Sequence, residues 1–232
     1  MRKTCAAVIV AAGSARRMGG VDKIMTELGG TPVLLRTVRA LAASDRIDEL
    51  VVVTRADLLV AVSALCAEVP KVKTVVCGGE SRTESVMAGL KAISQGMELA
   101  AVHDGARPLI SCDVIDEAVA CAERFGAAAP AVPVRDTVKI AADGVVRSTP
   151  DRSTLFAVQT PQVFEVELLR RALQRTAENG IAVTDDCAAV EALGVAVHLT
   201  RGSDENLKIT TPFDLSVAEW IGRERDANRT RL

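Results

Sequence analysis

The sequence contains no tyrosine, one tryptophan and four phenylalanines in 232 residues, so aromatic side chains make up only 2% of the chain. Platforms that stack the bases of single-stranded nucleic acid are built from aromatic faces, and their scarcity argues against that class of binder. An excess of one charge is also missing, because 28 Lys and Arg oppose 30 Asp and Glu for a net charge of -2. A nucleic-acid coat or a membrane-surface binder carries a basic surplus. Neither nucleic acid nor membrane is therefore expected as a partner, although a few local cations would suffice for a small anionic ligand. The six cysteines, at 5, 66, 77, 112, 121 and 187, include no C-x-x-C pair. That spacing gives no zinc or dithiol motif, and we expect small buried hydrophobes in a reducing compartment. Long apolar runs are absent too. Met1-Arg2-Lys3 followed by Cys5–Ala12 has the outline of a signal peptide, but it runs into Gly13 and Arg16-Arg17. It falls short of the roughly 20 residues needed to span a bilayer. The expectation is a buried first strand in a cytoplasmic protein.

What is present is ordinary globular composition, 49% apolar and 25% charged, at a length that suits one sizeable core with an appendage. Short runs rich in Val, Ile and Ala recur at Ala6–Val10, Leu50–Val53, Val72–Val76, Leu99–Val102 and Ala127–Val132. Between them lie helical patterns over Thr31–Ala43, Ala56–Glu68, Arg82–Ser94 and Cys112–Phe125. Strands without polar alternation are buried on both faces, as parallel strands under helices are, so the fold class is α/β. Ligands of such sheets bind beyond the C-terminal strand ends, which places the loops after Val10, Val76 and Val102 on one rim.

The alternation breaks between Val134 and Phe164. Asp136–Ile140, the turn Asp143-Gly144 and Val145–Arg147 read as a polar hairpin, too short for a core of its own. Such an arm finds its packing on another subunit. The pattern resumes with helices at Glu165–Glu178 and Asp185–Leu193, a strand at Val195–Thr200 and a closing helix from Pro212 to about Arg225, with a frayed basic tail.

Three loops carry the chemistry. The first, Ala11-Ala12-Gly13-Ser14-Ala15-Arg16-Arg17-Met18-Gly19-Gly20 with Lys23 following, leaves a buried strand through a glycine. Its backbone N–H groups can cradle phosphate oxygens while Arg17 and Lys23 add positive charge. A glycine turn with solvated arginines is the plain alternative, since neither the P-loop nor the dinucleotide glycine spacing is present. The second, Val102-His103-Asp104-Gly105-Ala106-Arg107-Pro108, puts a carboxylate at a strand end, where Asp104 can hold Mg²⁺ together with phosphate oxygens. Arg107 can fix a second anion, a loop salt bridge is the alternative, and His103 reads as structural. The third, Gly78-Gly79-Glu80-Ser81-Arg82-Thr83-Glu84-Ser85, ends a strand and opens a helix. It can bind a nucleotide's sugar or base, and Ser81 with Glu84 can also cap the helix.

In this order the three loops resemble the 2-C-methyl-D-erythritol 4-phosphate cytidylyltransferases of the non-mevalonate isoprenoid pathway. The resemblance extends through PVRDTVK, VQTPQVF, TDDCAAVEALG and NLKITTPFDL. It implies that CMP passes from CTP to methylerythritol phosphate with release of pyrophosphate, Mg²⁺ assisting. It also implies a Rossmann-like three-layer fold with a mostly parallel twisted sheet, as a single domain over residues 1–232 whose β-arm at about 135–160 makes a homodimer with shared active sites. Residue by residue, Ala11, Ala12, Gly13, Ser14, Gly79, Ser85, Asp104, Gly105 and Ala106 would form the nucleotide pocket. Arg17 and Lys23 would stabilise the transition state, and Arg152 and Lys208 would position the acceptor. Arg107, Thr137, Thr160 and Thr184 would complete the substrate contacts. Two departures stand out. Asp22 precedes Lys23 where proline is common, so that it could pair with Lys23 or Arg17, and Gly105 stands where alanine is usual.

The rival acceptor is ribitol 5-phosphate, whose enzymes usually read LAGG and HDSVRP where this chain has AAGS and HDGARP. Sugar-1-phosphate nucleotidyltransferases are longer and lack TDD and NLKIT together. A non-catalytic nucleotide sensor would have no need of Arg152 and Lys208. A dinucleotide oxidoreductase is disfavoured by the glycine spacing.

Overall fold

The computed structural model describes residues 2–13 and 22–229. Its centre is β1 (Cys5–Val10), in which Cys5 to Ile9 are fully buried. Burying side chains such as Val8 and Ile9 stabilises the fold by about 1.5–3 kcal/mol each. Successive residues point to opposite faces, and each face of β1 has its own core. Cys5, Ala7 and Ile9 pack with α1 (Val33–Ala42), α2 (Leu59–Cys66) and α4 (Cys112–Phe125). Ala6 and Val8 pack with α3 (Arg82–Ala92), α5 (Val166–Glu178) and α6 (Asp186–Glu191). The result is a three-layer α/β sandwich. The closing helix α7 (Pro212–Arg229) forms a smaller core with Leu28, Val33, Leu109 and Ile209.

β1 lies between β4 (Glu49–Thr54) and β6 (Leu99–Asp104), parallel to both, and β5 (Val72–Cys77) extends the parallel sheet beyond β4. The registers Val10↔Asp104 and Val10↔Val53 bring three C-terminal strand ends to one rim. On the other side β11 (Gln162–Glu165) runs antiparallel between β6 and β7 (Ala127–Pro133). β10 (Phe156–Val158) and β12 (His198–Arg201) also pair with β7, which completes an eight-stranded sheet. A small antiparallel pair, β2 (Glu27–Leu28) and β3 (Thr31–Pro32), sits before α1.

The five expected strands and four expected helices are present, with α1 shortened at its start by Pro32 and a 3₁₀ turn at Ala56–Leu58 preceding α2. The last expected strand lies later, at His198–Arg201, and α7 continues to Arg229 through part of the tail expected to fray. The arm is a hairpin of β8 (Ile140–Ala142) and β9 (Val145–Ser148). Its turn residues Asp143 and Gly144 have φ of 52° and 75°, the left-handed pair that a two-residue hairpin turn requires. The arm's Ile140, Val145 and Val146 are each more than half exposed. Six free cysteines are present, but only Cys5, Cys66 and Cys187 are buried, while Cys77 is exposed at the end of β5. No helix among the described residues is long and apolar enough to cross a membrane.

Candidate active site

A cavity of about 500 Å³ opens at the rim where β1, β5 and β6 end. The first loop contributes Ala11, Ala12 and Gly13 to its wall, and Lys23 and Ile24 line it where the described chain resumes. The third loop adds Gly79, Arg82 and Ser85, and the second adds Asp104, Gly105 and Ala106. Lys208 closes the far side. Ser14 and Arg17 lie outside the described residues.

The carboxylate at the end of β6 is the electrostatic centre. Asp104 is nearly buried, with its Oδ2 2.9 Å from Lys208 Nζ and 3.3 Å from Arg107 Nε. Burial alone would raise the Asp104 pKa, but Lys208 and Arg107 outweigh it and hold the carboxyl down to about 2. Asp104 is therefore ionised across the working pH range and pins both cations. The Arg107 charge is itself disfavoured by burial, which lowers its pKa despite Asp104.

Beneath this cluster a chain of hydrogen bonds fixes the backbone. The Asp104 N–H donates to Thr160 Oγ1 at 3.1 Å, and Thr160 Oγ1 lies 3.0 Å from His103 Nδ1. His103 Nε2 is 3.3 Å from the Arg107 carbonyl, which can only accept, so that nitrogen carries the proton and Nδ1 accepts from the threonine hydroxyl. Complete burial drives the His103 pKa down to about 4, so the ring is neutral and structural, as expected from sequence. Thr160, expected among the substrate contacts, is buried with its hydroxyl engaged in this chain.

The segment that carries Lys208 is anchored by Asn206, which is fully buried. The Asn206 side-chain amide donates to Gln159 Oε1 at 3.1 Å and to the Thr160 carbonyl at 2.9 Å, while its backbone carbonyl accepts from Arg107 Nη1 at 2.6 Å. The Ile209 N–H donates to the Ala106 carbonyl at 2.9 Å, docking the Lys208 segment onto the second loop. Gly105 is packed tightly: a Cβ there would lie 2.9 Å from the Ala11 Cβ and 3.2 Å from Leu34 Cδ1, so an alanine requires Ala11 or Leu34 to shift.

The third loop enters α3 through a complete capping box. Ser81 Oγ accepts from the Glu84 N–H at 3.1 Å, and the Glu84 carboxylate accepts from the Ser81 N–H at 3.1 Å. Ser85 Oγ donates to the Ser81 carbonyl at 3.0 Å. Arg82, whose role sequence reasoning missed although it lies in the motif, faces the cavity with Nη1 2.7 Å from Asp186 Oδ2. Asp186 is buried at the start of α6, and that burial raises its pKa, with Arg82 offsetting only part of the effect. Its neighbour Asp185 caps α6 by accepting from the Ala188 N–H at 2.9 Å.

Asp22, expected to pair with Lys23 or Arg17, has its carboxylate held by Arg55 at 2.6 Å. Arg55 was overlooked, although a cation directly after a buried strand on this rim obeys the same rule that singled out Asp104. The remaining expected contacts are not gathered at the cavity within one chain. Thr184 is exposed before α6, Thr137 is exposed in the arm segment, and Arg152, also exposed, donates to the Arg135 carbonyl at 2.6 Å. Among the described residues no group of three or more His, Cys, Asp or Glu is arranged to hold a metal ion. A cation at this site would take one protein carboxylate, Asp104, and draw its other ligands from phosphate and water, the usual arrangement for Mg²⁺ on a nucleotide.

Comparison with known proteins agrees over almost the whole chain. The profile of the IspD family, 2-C-methyl-D-erythritol 4-phosphate cytidylyltransferase, matches residues 5–224. The cytidylyltransferase of that name from Symbiobacterium thermophilum is 46% identical over 219 residues, 94% of this chain and 92% of the relative. The one from Desulforamulus reducens is 44% identical over 229 residues, 95% and 96% of the two chains. The crystal structure of 4-diphosphocytidyl-2C-methyl-D-erythritol synthase from Anaerococcus prevotii superposes with a TM-score of 0.86 at 30% identity, covering 95% of this chain and 99% of that one. The cytidylyltransferase structure from Thermus thermophilus gives 0.76 at 32% identity, covering 93% and 98%.

Proposed function

The chain belongs to the 2-C-methyl-D-erythritol 4-phosphate cytidylyltransferase family, and we propose that it transfers CMP from CTP to 2-C-methyl-D-erythritol 4-phosphate. The products are 4-diphosphocytidyl-2-C-methyl-D-erythritol, an intermediate of the non-mevalonate isoprenoid pathway, and pyrophosphate. The observation that carries this reading is the convergence of all three family loops, with Lys23 and Lys208, on one cavity whose centre is the ionised Asp104.

A phosphate oxygen of the acceptor attacks the α-phosphorus of CTP. One P–O bond forms, the bond from the α-phosphorus to the α–β bridging oxygen breaks, and pyrophosphate leaves with the electron pair. The nucleophile is already ionised, so no general base is required, and catalysis consists of positioning and charge stabilisation. The neutral, buried His103 is consistent with that scheme. Ala11 to Gly13, Gly79 and Ser85 receive the nucleotide, with Asp104, Gly105 and Ala106 beside the ribose. Ser14, Arg17 and Lys23 act on the phosphates, the latter two against the charge that accumulates in the transition state. Lys208, oriented by Asp104, and Arg107 attract the acceptor phosphate. Mg²⁺, held by Asp104 and the nucleotide phosphates, would neutralise the triphosphate and ease the departure of pyrophosphate.

In this reading the protein works as a cytoplasmic homodimer. The arm delivers Thr137 and Arg152 to the partner's cavity, Thr184 completes the acceptor side, and Thr160 acts from beneath it by holding the Asp104 backbone. Support comes from the arm's exposed apolar side chains and from the position of both residues away from their own chain's cavity. Purified protein given CTP, Mg²⁺ and 2-C-methyl-D-erythritol 4-phosphate is expected to release pyrophosphate. Faster turnover of ribitol 5-phosphate would reassign the acceptor. CTP binding with no turnover of either acceptor would point to a nucleotide sensor instead.

A further inference from the structure

The two ends of the first loop meet on one side chain. Arg55 follows β4 directly, and its guanidinium makes three contacts. Nη2 donates to Asp22 Oδ2 at 2.6 Å, and Nη1 donates to the Gly13 carbonyl at 3.4 Å. Nε and Nη2 together grip the Asp57 carboxylate at 3.1 and 3.2 Å. Gly13 and Asp22 flank residues 14–21, so a single arginine touches the chain where it leaves the cavity wall and where it returns. Asp22 is more than an ion-pair partner. Its Oδ1 accepts from the Ile24 N–H at 3.2 Å, and its carbonyl accepts from the Met25 and Thr26 N–H groups at 3.1 and 2.9 Å. Ile24 is buried, and its carbonyl accepts from the Leu34 N–H at 2.9 Å. Lys23 therefore sits between a residue clasped by Arg55 and a residue anchored in the core.

We infer that Arg55 is a positioning residue for nucleotide binding, holding Gly13 and the Asp22–Lys23 turn in the geometry that CTP requires. An exposed ion pair contributes little, but the side chains of Arg55 and Asp22 are only 26% and 22% exposed. Asp57 fixes the plane of the guanidinium through a two-point contact before the loop is engaged. Holding Gly13 and Asp22 in place in advance removes conformations of these two residues that binding would otherwise have to order. The inference rests on the CTP reading above and goes beyond it in giving Asp22 a favourable role. By charge alone, a carboxylate next to a triphosphate site weakens binding. As half of a clasp, the same carboxylate strengthens it.

That difference in sign is the test. CTP affinity by titration calorimetry, with kcat and KM for both substrates, is measured on the wild type, Asp22→Asn, Arg55→Ala, Arg55→Lys and the Asp22→Asn/Arg55→Ala double variant. Asp22→Asn is expected to weaken CTP binding about fivefold and Arg55→Ala about tenfold, with the double variant no weaker than Arg55→Ala alone. Arg55→Lys, which keeps the charge but loses the fork, is expected to fall between wild type and Arg55→Ala. KM for the acceptor stays within about twofold and the melting temperature is unchanged, as for a control Arg39→Ala that removes an exposed pair with Glu68. Tighter CTP binding by Asp22→Asn, unchanged affinity in both single variants, or effects that multiply in the double variant would overturn the clasp. If Arg55→Ala does not fold, Asp22→Asn and Arg55→Lys decide the question by the same criteria. A wild type that neither binds nor uses CTP defeats the functional reading itself, whereas normal wild-type binding with unaffected variants defeats only the role of Arg55.

Discussion

The rim and the arm carry the same kinds of residue in opposite surroundings. At the rim, Asp104, Arg107 and Asn206 are nearly or fully buried, and each is held by several partners. In the arm segment, Arg135, Lys139 and Arg152 are exposed and are tied only to nearby residues and to surface Asp204. Ionic groups buried with good partners hold their geometry, while exposed ones are free to be recruited. The rim is thus assembled before substrate arrives. In the proposed dimer it is half of a site whose other half the arm would carry, with the uncovered Ile140, Val145 and Val146 as the apolar surface for docking onto a second chain.

The largest expected effect breaks the rim. Asp104→Asn removes the charge that pins Lys208 and Arg107, and kcat/KM should fall by about a thousandfold, the scale of losing a preorganised electrostatic contact. Steady-state kinetics beside a thermal melt would separate that loss from unfolding. A drop below tenfold would mean that Lys208 is positioned by something other than Asp104.

A smaller effect is expected in the arm. Ile140→Asp with Val146→Asp places two charges on the proposed docking surface while leaving both sheet-facing cores untouched. Sedimentation should show monomer, activity should fall about a hundredfold, and the circular dichroism spectrum should be unchanged. Full activity in a monomer would make the arm irrelevant to catalysis.

The smallest effect concerns pH and separates the two buried groups beneath the rim. The folded-state pKa of His103, about 4, is below the usual 6.5, so the unfolded chain takes up a proton that the folded chain refuses. Stability should therefore decline as pH falls from 6.5 to 4, by about 3 kcal/mol in total from this residue. Asp104, lowered from 3.8 to about 2, contributes stability that is complete above 3.8 and lost only as pH falls through that lower window. In urea titrations at pH 7 and pH 4.5, the stability gap between wild type and His103→Gln should narrow on acidification. A constant gap would refute the assignment of a neutral, desolvated imidazole.

The central strands and the helices over them were legible because burial on both faces forces short apolar runs unbroken by polar residues, as in Leu50–Val53. β11 was not, since it is only four residues long and lies between two strands whose pairing is set by tertiary structure. Val163 and Phe164 alone do not distinguish it from the start of α5. The three loops were legible as one rim because strand ends and glycines mark it, and the family resemblance picked out Ala11 to Gly13, Gly79, Ser85 and Asp104 to Ala106, all of which line the cavity. The supporting contacts were hidden for a different reason. Asn206, Gln159 and Arg55 reach partners from 33 to 99 residues away, and no local pattern records such pairs. Gly105 stands where alanine is usual, and only the 2.9 Å approach of Ala11 to a Cβ built there gives that departure a packing consequence.

The claim that one rim and a partner's arm make one active site is tested most directly by mixing two inactive proteins, Lys23→Ala and Arg152→Ala. If each site takes Lys23 from one chain and Arg152 from the other, half of the randomly exchanged dimers are hybrids with one intact site, and about a quarter of wild-type activity should return. No recovery after demonstrated subunit exchange would contradict a shared site and return Arg152 to its own chain.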